Sequence, residues 1–256
     1  MSRMICVFFK NTMRSFRTAA GMLAIPVVLV VSELGQILRT FIEEGFAPQQ
    51  AVLQATVNCF AGDAMLLLLP IVCTLAGSAS FVEDTKNKFV RVLLIRMPKE
   101  RYLWSRMLAC AMAGGMTVAV GMLLLMGVLA CFPLFLEIPE MELIPNLLQE
   151  SIRGLPSVLA LYFIAGALWA GLGMFIAMLT DSILVAYLAP FIVFYLLQIL
   201  YERYLTGVKI LSPKQWLLPD ESWPGGKLGS GLLMAELLLI VMFCFVRVAG
   251  RKLQDG

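Results

Sequence analysis

The chain has 256 residues, 60% of them hydrophobic and only 14% charged, with a mean hydropathy of +0.87, whereas ordinary globular chains carry roughly 25% charged residues. A core of this size cannot hide so many apolar side chains, so lipid must solvate much of the surface, which excludes an ordinary water-soluble fold. The chain has no histidine, so histidine-dependent zinc proteases, Ser–His intramembrane proteases and histidine-dependent acyltransferases are excluded for want of a general base.

Taken in chain order, residues 1–17 place Arg3, Lys10, Arg14 and Arg17 among Met4, Ile5, Val7, Phe8, Phe9, Met13 and Phe16. This basic, amphipathic pattern predicts a helix lying along a membrane surface. Residues 19–38, about 20 in number at a rise of about 1.5 Å each, match a ~30 Å hydrocarbon layer and predict a first span. It is too long for a removable signal peptide and lacks a small-x-small cleavage site. A polar connection over 39–57 leads to a second span at 58–81. A charged loop over 82–106 precedes a third span at 107–132. Residues 133–156 are acidic, with Glu137, Glu140, Glu142 and Glu150 against Arg153. The fourth span, 157–179, is joined to the fifth, 183–201, by Thr180, Asp181 and Ser182, so these two helices are expected as antiparallel neighbours. Turn signals at Pro219-Asp220 and Pro224-Gly225-Gly226 fill the connection to a sixth span at 231–248.

Lys and Arg near span ends are retained on the cytoplasmic side. With both termini inside, the cytoplasmic segments hold Arg3, Lys10, Arg14 and Arg17, then Lys86, Lys88, Arg91, Arg96, Lys99, Arg101 and Arg106, then Arg247, Arg251 and Lys252, leaving only six of the 20 bases outside. That asymmetry predicts cytoplasmic termini. Six scattered cysteines form no Cys-x-x-Cys pair, so no metal site is expected. Cys59 and Cys131 fall near the outer interface, where a bridge is one reading and apolar filler the stronger one. No Gly-x-x-x-x-Gly-Lys-Ser/Thr phosphate loop occurs, because Gly226-Lys227 runs into Leu228.

A carboxylate at bilayer depth costs about 2.5–3.5 kcal/mol on insertion scales, which singles out Glu33, Asp63 and Glu236, none with an evident basic partner. Two readings stay open. They snorkel, are protonated or cap a helix, as suits Asp63, or they line a wet translocation path for a cationic substrate. Glycines at helical spacing, Gly114, Gly115, Gly121 and Gly127, then Gly166, Gly171 and Gly173, predict close helix packing.

The loop 82–106 carries the most information. Glu83 and Asp84 near a helix start, with Lys86, Lys88 and Arg91 further on, suit the helix dipole. Phe89, Val92 and Leu93 make an apolar stripe. Met97 before Pro98 should end this short surface helix, and Pro98 suits the first turn of the next. A topology anchor would need the bases but not their amphipathic order, so a docking element is the preferred reading.

In these positions, Phe81, Glu83, Leu93-Leu94, Pro98, Arg101 and Tyr102, and in the small-residue run Ala165–Gly173 and Pro190, the chain resembles the membrane subunits of type-2 ABC exporters, the permeases of drug, peptide and polysaccharide efflux. Where many of those proteins carry glycine in the coupling helix, this chain has Lys86-Asn87-Lys88. The likeness extends over nearly the whole chain. It implies an all-α integral membrane fold in a single transmembrane domain over 1–256, with six transmembrane helices, an N-terminal amphipathic interfacial helix and a cytoplasmic coupling helix. It also implies a multi-pass plasma-membrane location in a bacterium and a transport role rather than catalysis. The expected partners are an ABC ATPase subunit dimer, which would bind ATP and Mg, and a second permease subunit, same or similar, with membrane lipid around them and no nucleic acid. This chain itself would hold no cofactor. Glu83, Asp84, Lys88, Phe89, Arg91, Val92, Pro98 and Arg101 become the expected ATPase-coupling residues, and an amphipathic peptide, lipid-like molecule or drug the expected cargo. The competing class is an ion-coupled transporter or channel working alone through Glu33, Asp63 or Glu236, and a membrane scaffold without transport is a third.

Overall fold

A computed structural model describes residues 2–42, 48–96, 98–135, 145–205, 208–219 and 223–255. Among the described residues all regular structure is helical. The N-terminal segment forms two helices, α1 (Ser2–Met13) and α2 (Phe16–Ser32), bent by 60° at their junction. Ser15 adopts an extended conformation there, with φ −68° and ψ 137°. The Thr18 hydroxyl donates to the Thr12 carbonyl at 2.7 Å across the bend, which satisfies one of the acceptors that a helix end leaves open. Phe8 is buried, while Val7, Lys10 and Arg14 stay exposed, so α1 is two-faced as its sequence predicts.

Several ends differ from the sequence-based expectation. The first span helix starts at Phe16 and stops at Ser32, because Glu33 leaves helical geometry at φ −105°. The expected polar connection after it is largely helical, as α3 (Leu34–Ile42) and α4 (Pro48–Ala61). Ile37 and Thr40 on α3, and Val52, Ala55 and Thr56 on α4, are buried, so these polar stretches hold their helices by one packed face. Gly62, extended at φ −67° and ψ 156°, separates α4 from α5 (Asp63–Leu75), and α6 (Ser80–Lys86) follows through a turn. The second span therefore begins at Asp63 rather than at 58. Next come α7 (Phe89–Arg96), α8 (Lys99–Phe135), α9 (Pro145–Thr180), α10 (Ile183–Tyr204), the short α11 (Pro213–Leu217) and α12 (Gly226–Asp255). The third span starts eight residues early, since Lys99 to Arg106 continue α8. Glu137, Glu140 and Glu142 of the acidic connection lie outside the described residues, as do the side chains of Glu150 and Arg153.

Among the described residues, five stretches are long and apolar enough to cross a membrane: Asp63–Lys86, Lys99–Cys131, Pro156–Thr180, Ile183–Tyr204 and Gly226–Gln254. The bent pair Met4–Met13 and Phe16–Ser32 makes six if taken as one span. This architecture is consistent with a multi-pass membrane protein.

The centre of the fold is the pair α8 and α9. A Cβ on Gly114 would stand 2.4 Å from the Ala170 Cβ and 2.8 Å from the Gly166 carbonyl oxygen, and one on Gly166 would stand 2.9 Å from the Gly114 carbonyl oxygen. Only glycine lets the two backbones approach so closely. Gly121 receives Ile25 of α2 in the same way, whereas Gly127 has nothing within 4 Å of its Cβ position. At the periphery, the most apolar windows of α10 and α12 are only 17% and 22% buried, against 67% for Asp63–Lys86, so their Leu- and Ile-rich outer faces are left for lipid or a partner. The six thiols are free, Cys59 buried and Cys131 exposed, with no bridge between them.

Candidate functional site

The segment singled out by sequence lies where many helix ends meet. At this end of the fold the start of α2, the end of α6, the starts of α8 and α10 and the ends of α9 and α12 converge. Two adjacent carboxylates on α6 are held from opposite sides. Glu83 accepts from Arg17 of α2 at 2.5 Å, and the same guanidinium donates to the Tyr187 hydroxyl of α10 at 3.1 Å. Asp84 pairs with Arg106 of α8 at 2.9 Å and accepts from the Tyr102 hydroxyl at 2.9 Å. Arg106 also donates to the Ser80 carbonyl at 3.2 Å and stands 4.9 Å from the centre of the Phe8 ring on α1.

The two pairs differ in burial, and that sets their roles. The Arg106 and Asp84 side chains are 9% and 15% exposed, so neither charge can lose its partner without a large desolvation penalty. Arg17 and Glu83 are 53% and 32% exposed, so water competes for both and the pair holds weakly. Aromatic rings complete the node. Phe81 packs edge-on against Phe245 of α12 with centroids 5.2 Å apart, and Tyr102 meets Phe8 edge-on at 6.0 Å. Helices α2, α8 and α12 are thereby tied directly to one seven-residue helix, α6, and α10 and α1 are tied to it through Arg17, Arg106 and Tyr102.

Beyond α6 the chain turns at Lys88, whose φ of +57° is the left-handed conformation that favours glycine. Here a lysine bears that strain. The helix α7 then packs its Val90 side inward, 3% exposed, with Leu93 and Leu94 against the core. Of the apolar stripe expected at Phe89, Val92 and Leu93, Leu93 packs on the core while Phe89 faces outward, and Val90 is the buried residue. Phe89 is 48% and Ile95 85% exposed. Pro98 precedes α8 and its carbonyl accepts from the Arg101 and Tyr102 amides; Arg101 itself is exposed. The side chains of Arg91 and Val92 lie outside the described residues.

The intramembrane carboxylates lie elsewhere. Asp63 opens α5, where an acidic group suits the helix dipole, and it pairs with Lys214 of α11 at 3.0 Å, a basic partner that sequence did not reveal. Glu33 sits against Gly62, the residue before Asp63: a Cβ added there would stand 2.5 Å from the Glu33 Oε1. Glu236 is on the exposed face of α12, in line with Leu232, Leu239 and Ile240, and is not brought to the other two.

Sequence reasoning missed Arg17 and Arg106 as partners of the acidic pair, Tyr187 as a second partner of Arg17, and Asp181 and Lys252, which pair at 2.5 Å beside them. The available signal was that Arg17 and Arg106 are the bases standing next to the apolar runs of α2 and α8. Among the described residues no group of His, Cys, Asp or Glu converges to hold a metal ion. No family model, no curated protein and no solved structure matches this chain.

Proposed function

We propose that the chain is the membrane subunit of an ATP-driven exporter of the type-2 ABC class, docking a separate ATPase through residues 83–96. The observation that carries the reading is the pairing of a braced α6 with an α7 that turns Phe89 and Ile95 outward. A solvent-facing helix that shows an isoleucine 85% exposed offers an apolar handle for a protein partner. Force applied to α7 passes one turn back to Glu83 and Asp84, and from there to α2, α8 and α10. In this reading six spans cross a plasma membrane with both termini cytoplasmic, and α1 is the interfacial helix. Two such subunits form the pathway. ATP and Mg belong to the partner ATPase, and the cargo is an amphipathic peptide, lipid-like molecule or drug.

A second reading, ion-coupled transport without an ATPase, draws on Glu33 lying against Gly62, the residue before Asp63. It receives nothing from Glu236, which faces outward on another helix. The two readings separate on purification of the chain in mild detergent from its native host, beside a Phe89→Ser, Ile95→Ser variant. Recovery of an ATP-hydrolysing subunit with the parent chain and its loss from the variant is the expected result. Absence of any ATPase from the parent preparation, with transport driven by an ion gradient, would transfer the assignment to the second reading.

A further inference from the structure

A groove of about 480 Å³ opens at the node, between α6, α7 and the end of α12. Its floor is apolar, with Phe81, Val90, Leu94 and Leu253. Its rim is basic: Lys86, Lys88 and Lys252 stand against the single carboxylate Asp181. We propose that this groove binds the head group of an anionic phospholipid, phosphate on the lysines and the first acyl methylenes on the floor.

Position, charge and shape each support the assignment. Lys86 closes the span Asp63–Lys86, Asp181 directly follows the span Pro156–Thr180, and Lys252 lies near the end of Gly226–Gln254. The rim therefore stands where apolar helices give way to polar chain, the level at which head groups sit. Lys86 and Lys88 are exposed and make no ion pair among the described residues. Lys252 is only partly occupied, donating to the Met178 carbonyl at 2.9 Å and to Asp181. Basic pockets between membrane helices are the sites at which such head groups are held. A free phosphate would satisfy the amines but leave the floor wet, whereas each methylene that covers it raises affinity by about fourfold. The site requires only that the three spans lie in a bilayer; Phe89 and Ile95, the apolar handle of the ATPase reading, are not among the residues that line it.

Native mass spectrometry of the delipidated full chain tests this, with phosphatidylglycerol, phosphatidylcholine and inorganic phosphate titrated separately. Phosphatidylglycerol is expected to remain bound where phosphatidylcholine is stripped. Lys86→Gln, Lys88→Gln should weaken it about 25-fold, at about fivefold per lysine. Asp181→Asn, which releases Lys252 and suits the left-handed backbone at 181 (φ +51°), should tighten it about fivefold. Equal retention of the two lipids, undiminished binding in the lysine variant, or displacement of phosphatidylglycerol by millimolar inorganic phosphate would overturn the proposal. Should the lysine variant fail to fold, the direction of the Asp181→Asn change decides alone, and weaker binding refutes the site.

Discussion

Replacing Asp84 by alanine should cost far more stability than replacing its neighbour Glu83, although both carboxylates hold an arginine. In Asp84→Ala the Arg106 guanidinium stays in place with its side chain 9% exposed and no counter-charge, and removal of one partner of a buried pair costs about 3–5 kcal/mol. The Tyr102 hydroxyl, on a fully buried ring, loses its acceptor as well, for about 1 kcal/mol. Part is offset, because Arg106 keeps the Ser80 carbonyl and the Phe8 ring. The balance is a loss of about 3 kcal/mol. Glu83→Ala should cost less than about 1 kcal/mol, since Arg17 is half exposed and regains water. The combined Asp84→Leu, Arg106→Met variant removes both charges and should return to within about 1 kcal/mol of the parent. The measurement is unfolding of the purified chain in mixed micelles of mild detergent and dodecyl sulfate, followed by the fluorescence of its four tryptophans. If Glu83→Ala proves as damaging as Asp84→Ala, or the combined variant remains as unstable as Asp84→Ala, the distinction drawn from burial is wrong.

Three further outcomes follow from packing and backbone geometry. Gly166→Ala should destabilise by about 1–3 kcal/mol, because its methyl would meet the Gly114 carbonyl oxygen and the Val118 side chain, while Gly127→Ala, with open space around it, should be neutral or stabilising by up to about 1 kcal/mol; the same unfolding titration compares them. Lys88→Gly should leave stability unchanged or raise it by up to about 1 kcal/mol, since relief of the left-handed strain opposes the added freedom of glycine in the unfolded chain; a clear loss would show that the lysine side chain supplies a compensating contact. Tyr162→Phe removes the hydroxyl that donates to the Phe60 carbonyl at 2.7 Å and should cost about 0.5–1.5 kcal/mol, read as a lower midpoint for loss of folded fluorescence.

The membrane character of the chain is written in its runs of apolar residues, and helices do stand over most of each expected span. Their ends were less legible, for identifiable reasons. The polar stretch 39–57 hides a one-sided helical pattern whose buried members, Thr40, Val52, Ala55 and Thr56, include two threonines that a hydropathy reading counts as loop. Lys99 to Arg106 were assigned to the loop because they are charged, yet Arg106 is buried by its pair with Asp84. The importance of Glu83 and Asp84 was visible as an acidic pair at a span boundary. Their partners were not, because Arg17 lies 66 residues from Glu83 and Tyr187 lies 170 residues from Arg17, separations that no local pattern encodes. The same holds for Lys214, 151 residues from Asp63. On α7 the apolar stripe reads as Phe89, Val92 and Leu93, yet the residue the fold buries is Val90, and Phe89 is exposed.

The connection between α9 and α10 bears on how the chain is made. Thr180, Asp181 and Ser182 contain no lysine or arginine, and Ile183 already opens the next helix. As the nascent chain emerges, this turn carries no basic signal of its own and leaves no slack for one helix to settle before the other. If α9 and α10 cross a bilayer, they are expected to enter it together as a hairpin, with the basic residues of 86–106 and 247–252 as the nearest topological signals on either side. Adding two or three lysines at the turn would leave the folded contacts of α9 with α10 largely untouched, yet would add a topological signal where the natural chain has none.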